Sequence, residues 1–295
     1  MNPIRVGPAG WNYKDWYGIV YPENPGKSFK ELDFLSRFVN TVEINSTFYR
    51  PANPYMARAW VRKVAHNPDF KFTAKLWQRF THDRSPYSQE EIDQVRQGMD
   101  PLMEAGLLGA VLIQFPWSFK NSEAGREWLS GLVKTFQPYP LVVEVRHLSW
   151  DNPAFYGMLD SLQTGFAAID QPVIGRSMAF KPVRTGPVGY VRMHGRNYRN
   201  WFPKKGEKQP GFARYDYLYS EEEIKIISKT VRTVSEGAKE TYVIQNNHPR
   251  GQAVANATQI RADLGESVLR LPETLLTHFP QLKGISKPVQ ETDLF

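Results

Sequence analysis

Gly7-Pro8-Ala9-Gly10-Trp11 sits at the end of the first apolar, β-branched run of the chain, and its reading decides between two parallel folds. An open, doubly wound sheet that binds a nucleotide carries a Gly-x-Gly-x-x-Gly turn at this place, so that backbone amides at a helix start reach phosphate. Here a proline and an alanine separate the glycines and a tryptophan follows, which is not that fingerprint. A parallel sheet closed on itself needs no such turn.

Working outward, short runs of the same kind recur at residues 4–7, 41–44, 70–74, 110–115, 141–145, 166–169, 189–193 and 242–245. Amphipathic helices with readable starts separate most of them. Ser28 with Glu31 reads as a capping box before a stripe of Phe29, Leu32, Leu35, Phe38 and Val39. Ser88 with Glu91 precedes Ile92, Val95, Met99 and Leu102, and Ser220 with Glu223 precedes Ile224, Ile227 and Val231. Asn53-Pro54 and Asn152-Pro153 place a cap ahead of a first-turn proline. Only the sixth crossover, 171–187, shows no helix. Eight such units predict a single-domain (β/α)8 TIM barrel over residues 1–284, with a long loop after strand seven and a tail over 285–295.

The composition fits one barrel core: 295 residues, 41% apolar and 13% aromatic. No apolar run is long enough to span a bilayer, and the start MNPIRVGPAGW lacks the pattern of an export signal, so a cytoplasmic address and no membrane partner are expected. The absence of cysteine excludes disulfides, thiolate metal sites and a cysteine nucleophile. A net charge of +7 favours anionic partners.

In a barrel, functional groups collect where the strands end. Those ends are polar here: Glu43 and Asn45, Lys75, Gln114, Glu144 and Arg146, Asp170, Arg192 and His194, then Asn246 and Asn247. Period two predicts two inward layers, with Glu43, Glu144 and Arg192 below and Asn45, Lys75, Gln114, Arg146, Asp170 and His194 above. Burying so many charges is costly unless a ligand or catalysis uses them, although compensating ion pairs would also explain each pair singly. Glu43, Glu144, Asp170 and His194 are the candidate catalytic groups, with His194 or Glu144 as general acid or base. The same four could hold a divalent metal, but Lys75, Arg146 and Arg192 would compete with it, so no cofactor is expected.

Around the mouth, Trp11, Tyr13, Phe48, Trp77, Trp150 and Trp201 are candidates for an aromatic pocket. The loop 195–220 holds six basic residues, two acids and seven aromatics, a mixture that suits single-stranded or damaged nucleic acid or a lid packed on itself. The stretch 246–252, with Arg250 ahead of a helix, reads as a phosphate seat or as an ordinary capping turn.

The strand-end motifs GPAGWNYKDWYGIVYP, TVEINSTFYR, FKFTAKLWQRFTH, LIQFPWSF, VVEVRHLSW, YVRMHG and NNHPRGQAVANA, taken in order, resemble the YecE-like family over residues 7 to 257. That resemblance implies a TIM barrel and carries no catalytic assignment, because the family is catalogued as a domain of unknown function. It also looks like a relative of the barrels that include AP endonucleases and sugar isomerases, but their histidine-rich metal set is not evident. At the C-terminus, Gln290 followed by Leu294 and Phe295 is similar to the peptide by which bacterial repair and replication proteins dock on the sliding clamp. Together these features predict an enzyme on a phosphate-bearing substrate, plausibly nucleic acid. The alternatives are an isomerase, lyase or hydrolase on a phosphorylated or sugar-like metabolite, and a non-catalytic nucleic-acid- or clamp-binding protein.

Overall fold

The apolar runs pair as eight parallel strands: β1 (Ile4–Pro8), β2 (Thr41–Ile44), β3 (Lys71–Lys75), β4 (Leu108–Gln114), β5 (Leu141–Glu144), β6 (Gly165–Asp170), β7 (Val188–Met193) and β8 (Glu240–Gln245). The structure, a computed structural model, describes residues 2–202, 210–267 and 269–289. Hydrogen-bonded neighbours run β1-β8-β7-β6-β5-β4-β3-β2. The two ends of that order meet, because Ala9 bridges Glu43 in parallel and the Gly10 amide donates to the Glu43 carbonyl at 2.9 Å. The result is a (β/α)8 barrel.

Gly7 is what lets the seam form: a Cβ there would lie 1.8 Å from the Thr41 carbonyl oxygen. Gly10 turns the chain at φ +84°, a conformation that glycine adopts without a steric penalty. The two glycines of the opening stretch therefore serve strand contact and a turn.

The helices are α1 (Glu31–Leu35), α2 (Ser46–Tyr49), α3 (Pro54–Lys63), α4 (Gln89–Glu104), α5 (Glu123–Phe136), α6 (Pro153–Ser161), α7 (Glu221–Ser235), α8 (Gln252–Asp263) and α9 (Glu273–His278). Ser88 and Ser220 form the expected capping boxes, and Asn53 and Asn152 cap α3 and α6. The Ser28–Glu31 box does not form. Lys30 is the N-cap of α1 without a side-chain bond, and Glu31 accepts from the Tyr17 hydroxyl at 2.8 Å instead. No helix occupies 171–187, as the sequence predicts. Residues 286–289, assigned to the tail from the sequence, form β10 (Ser286–Val289) against β9 (Leu269–Pro272). Gln290, Leu294 and Phe295 lie outside the described residues. Among the described residues no helix is long and apolar enough to cross a membrane.

Strand alternation sorts the core. Ala110, Leu112, Val142, Ala167, Ile169, Tyr190, Tyr242 and Ile244 fill the barrel, while Val6, Ala168, Val191, Met193 and Val243 pack outward against α7 and α8. Continuing the inward phase past the last apolar residue of each strand brings the chain to the mouth.

Candidate active site

β2, β5 and β7 carry Glu43, Glu144 and Arg192 inward, and all three are fully buried. Arg192 Nη2 donates to Glu43 Oε1 at 2.7 Å and Nη1 to Glu144 Oε2 at 2.5 Å, so one guanidinium ties two strands across the barrel. Glu43 Oε2 accepts from the Tyr190 hydroxyl at 3.0 Å, and the Arg146 guanidinium reaches Glu144 Oε1 at 2.7 Å. The expected lower layer of Glu43, Glu144 and Arg192 therefore exists, with Tyr190 as a member that the sequence reading passed over. Its signal was the shared phase of Tyr190, Arg192 and His194.

Above this layer lies a cavity of about 390 Å³. Lys75, Gln114, Arg146 and Asn246 line it from the strand ends, with Phe48, His82, Trp117, Gln171, Trp201, Phe202, Arg214 and Tyr215 among the loop residues around them. No carboxylate lines it among the described residues. Glu43 and Glu144 lie below it and spend their oxygens on Arg192, Arg146 and Tyr190, so the cavity meets the cations and not the carboxylates.

Burial is the first influence on His194, Glu144 and Lys75. It pushes His194 down, and Arg146 and Arg192 push the same way, leaving the ring well below the ordinary imidazole value. His194 is therefore neutral near pH 7. Its Nε2 faces Arg146 Nη2 at 3.4 Å and Arg192 Nη1 at 3.5 Å. Both of these are donors, while on the other side of the ring Nδ1 lies 3.0 Å from Asn246 Nδ2. Burial would raise Glu144, but Arg192, Arg146 and His194 outweigh it and hold the carboxyl well below its usual range. For Lys75, burial and then Arg192 lower the ammonium, only partly opposed by Glu43 and Glu144, and bring it down to about 8. Neither His194 nor Glu144 reaches the cavity surface. Lys75, His82, Tyr49 and Tyr215 do reach it, beside Arg146 and Arg214.

Several expected positions lie elsewhere. Asp170 points out of the barrel, where Arg196 grips it through Nε at 3.0 Å and Nη2 at 2.8 Å and the Tyr219 hydroxyl donates at 2.5 Å. The inward phase of β6 is Ala167, Ile169, Gln171, so Gln171 takes the place assigned to Asp170. Asn247 likewise faces back, donating to the Tyr217 carbonyl and to Asn256, each at 2.8 Å. Arg250 holds no free phosphate seat: its amide donates to Asp15 at 2.7 Å and its guanidinium to Asp216 at 2.7 Å. Asn45 is half-buried at the end of β2, its Oδ1 without a described partner.

Of the aromatic candidates, Phe48 and Trp201 line the cavity. Trp11 packs edge-on against Trp60, Tyr13 stacks on His248, Trp77 meets Phe80, and Trp150 is buried on Phe119. Large rings lose most contact with water inside the loops, and those four seal the barrel top. The loop residues Trp117, Arg214 and Tyr215 were not singled out as site residues from the sequence; only Arg214-Tyr215, within the basic and aromatic loop 195–220, carried a signal.

Fold and site together define a parallel barrel whose polar mouth is lined by cations above a buried Glu–Arg–Glu tie. The chain belongs to the DUF72 family, described as a protein of unknown function, whose family model matches residues 5–280. It is 27% identical over 268 residues to UPF0759 protein YunF of Bacillus subtilis, covering 87% of this chain and 93% of that one. A solved DUF72 family protein from Thermotoga maritima is similar at 36% identity and TM-score 0.77, covering 90% of this chain and 100% of that one. One from Enterococcus faecalis is similar at 28% identity and TM-score 0.77, with 90% and 96% covered.

Proposed function

We propose that this barrel is a cytoplasmic enzyme acting on a phosphate-bearing substrate held in the mouth cavity. One observation carries the reading: Lys75, Arg146 and Arg214 line the cavity and no described carboxylate does. Cations fixed in a low-dielectric pocket attract an anion far more strongly than the same charges on open surface. The volume, about 390 Å³, suits a small molecule or one nucleotide. Trp201, Phe202, Arg214 and Tyr215, from the described parts of the segment after β7, form part of its wall. That supports the metabolite form of the reading.

A second form, a single nucleotide of a strand drawn into the cavity, is supported by the exposed rings of Tyr49, Trp117 and Phe202 at its wall. Arg196, in contrast, is engaged with Asp170 and Glu223 behind β7 and offers little to a strand. The reading invokes no cofactor, since a divalent ion would share the mouth with Lys75, Arg146 and Arg192. The YecE-like name suggested by the strand-end motifs is retained as a proposal for the same family. Docking on a sliding clamp through Gln290, Leu294 and Phe295 is a separate proposal, resting on the tail sequence alone.

Titrations with inorganic phosphate and with single-stranded, duplex and abasic DNA, each over a range of salt, test both forms. Phosphate binding without DNA binding supports the metabolite form. DNA binding that falls steeply with salt and is lost in Arg146→Gln supports the nucleotide form. No binding of any of them at low salt removes the proposal.

A further inference from the structure

Of the strand-end cations at the mouth, Lys75 is less engaged than Arg146 and Arg192, each of which is hydrogen-bonded to Glu144. Its side chain is 13% exposed and lies at the cavity, yet its Nζ makes no hydrogen bond to any described residue. The nearest carboxylate oxygen, Glu43 Oε1, stands at 3.7 Å and is already held by Arg192 at 2.7 Å. The other Glu43 oxygen accepts from Tyr190. The remaining close neighbour is the Phe48 ring, 5.5 Å from Nζ to its centroid. An ammonium has three protons to donate, and a nearly buried one left without acceptors is poorly stabilised. Arg146 and Arg192, both pinned to Glu144, stay charged and cannot take over as nucleophiles.

We propose that Lys75 is a nucleophilic amine that condenses with the carbonyl of an anionic aldehyde or ketone bound in the mouth cavity. The proposal rests on the anion-site reading above and adds a substrate class and a reaction to it. The amine lone pair forms a C–N bond as the carbonyl π pair moves to oxygen. The oxygen takes up two protons and leaves as water while nitrogen releases two. Summed, lysine ammonium and carbonyl give a protonated imine and water, with no oxidant or reductant. His82, the imidazole on the same wall, is held below its ordinary value by burial and then by Arg146 and Arg84, so it can accept and return the proton between steps. The lowered ammonium of Lys75 places about 300-fold more free amine at pH 7 than an ordinary lysine has. Arg146 and Arg214 would hold the anionic group of the substrate.

The test is borohydride trapping of the full chain with pyridoxal 5′-phosphate, a phosphate-bearing aldehyde, followed by peptide mapping, beside calorimetric titration with inorganic phosphate. The expected result is an adduct on Lys75 formed at least tenfold faster than on other lysines and suppressed by phosphate. Lys75→Arg should keep phosphate binding and lose the adduct, with an unchanged circular dichroism spectrum as the folding control. Phosphate binding with no preferred Lys75 adduct overturns the nucleophile and leaves the anion site standing. A Lys75 adduct without phosphate binding or phosphate protection overturns the anion site and supports the nucleophile.

Discussion

Lys75 Nζ stands 3.7 Å from Glu43 Oε1, outside hydrogen-bond reach, although the two come from the paired strands β3 and β2. The carboxylate is drawn towards Arg192 beneath it, so the lysine faces the cavity with its charge largely uncompensated. A bound anion supplies the missing partner, and its effect on protonation has a definite sign. It favours the ammonium and raises Lys75 from about 8, so anion binding takes up a proton. Affinity is then constant below about pH 8 and falls as pH rises above it, by up to tenfold per unit. Sulfate is the suitable probe, because its own charge does not change there. Calorimetry from pH 6 to 10 on the wild type and Lys75→Arg checks this, and an equal pH slope in both removes Lys75 from the site.

Glu144 lies between two guanidinium groups, and its loss leaves Arg192 and Arg146 short of a counter-charge in a dry layer. Removing one partner of a buried pair costs about 3–5 kcal/mol, so Glu144→Gln should melt on the order of 10 °C lower than the wild type. The carboxyl is held low in the fold, so its contribution is complete above the ordinary value of 4.5 and is lost as the solution is acidified below it. The gap between wild type and variant therefore stays constant above about pH 5 and narrows under stronger acid. The same substitution leaves more positive charge beneath the cavity and should tighten sulfate. Weaker sulfate binding in a folded Glu144→Gln protein would contradict the electrostatic account of the mouth.

His194 acts in the same direction, beginning at a higher pH. Its ring stays neutral in the fold, held down by burial and by Arg146 and Arg192, whereas in the unfolded chain it titrates near 6.5. Below that value the unfolded state gains a proton that the folded state refuses, so stability falls with acidification. That loss grows as the pH is taken from 6.5 to 5. His194→Gln removes the term while keeping a group able to bond Asn246. Urea unfolding at the two pH values should show the wild type losing more stability than the variant.

The expected and observed sites differ most at Asp170, and the difference is one of phase. The fold was legible because each strand carries a dense apolar run and most helices carry a cap, both local signals that survive into the structure at Ser88, Ser220, Asn53 and Asn152. The lower polar layer was legible because Glu43 and Arg192 sit within their strands, and Glu144, which closes β5, keeps the alternation of the apolar residues before it. Asp170 and Asn247 stand at strand ends, where a shift of one residue reverses the facing, and nothing local reports it. Cavity walls built from loops, such as Arg214 and Tyr215, depend on contacts distant in sequence. Asp170→Asn is accordingly expected to loosen the Arg196–Tyr219 clamp, destabilising the protein by on the order of 2–3 kcal/mol, while sulfate affinity stays within about twofold. A large loss of sulfate binding in a folded Asp170→Asn protein would restore Asp170 to the site.

Gly7 provides a test of the barrel seam itself. β1 and β2 share the parallel bridge between Ala9 and Glu43 and the bond from the Gly10 amide to the Glu43 carbonyl, and both lie just beyond the point where Gly7 meets Thr41. A methyl group at Gly7 would fall 1.8 Å from the Thr41 carbonyl oxygen, and backbone on both sides leaves no flexible side chain to yield. Gly7→Ala must therefore push β1 from β2, breaking the seam contacts and moving Glu43 relative to Arg192. The expected loss is more than 3 kcal/mol of stability, in the range of severe core overpacking. Sulfate binding should weaken as well, because Glu43 helps to position Arg192 beneath the cavity. Gly10→Ala is the informative comparison: it strains a turn at φ +84° and meets the Tyr13 hydroxyl, but leaves the strand contact alone. Thermal melts with sulfate titrations on both variants should show Gly7→Ala as the more damaging in each measurement. A Gly7→Ala protein that melts and binds like the wild type would mean that β1 and β2 do not close the barrel at this point.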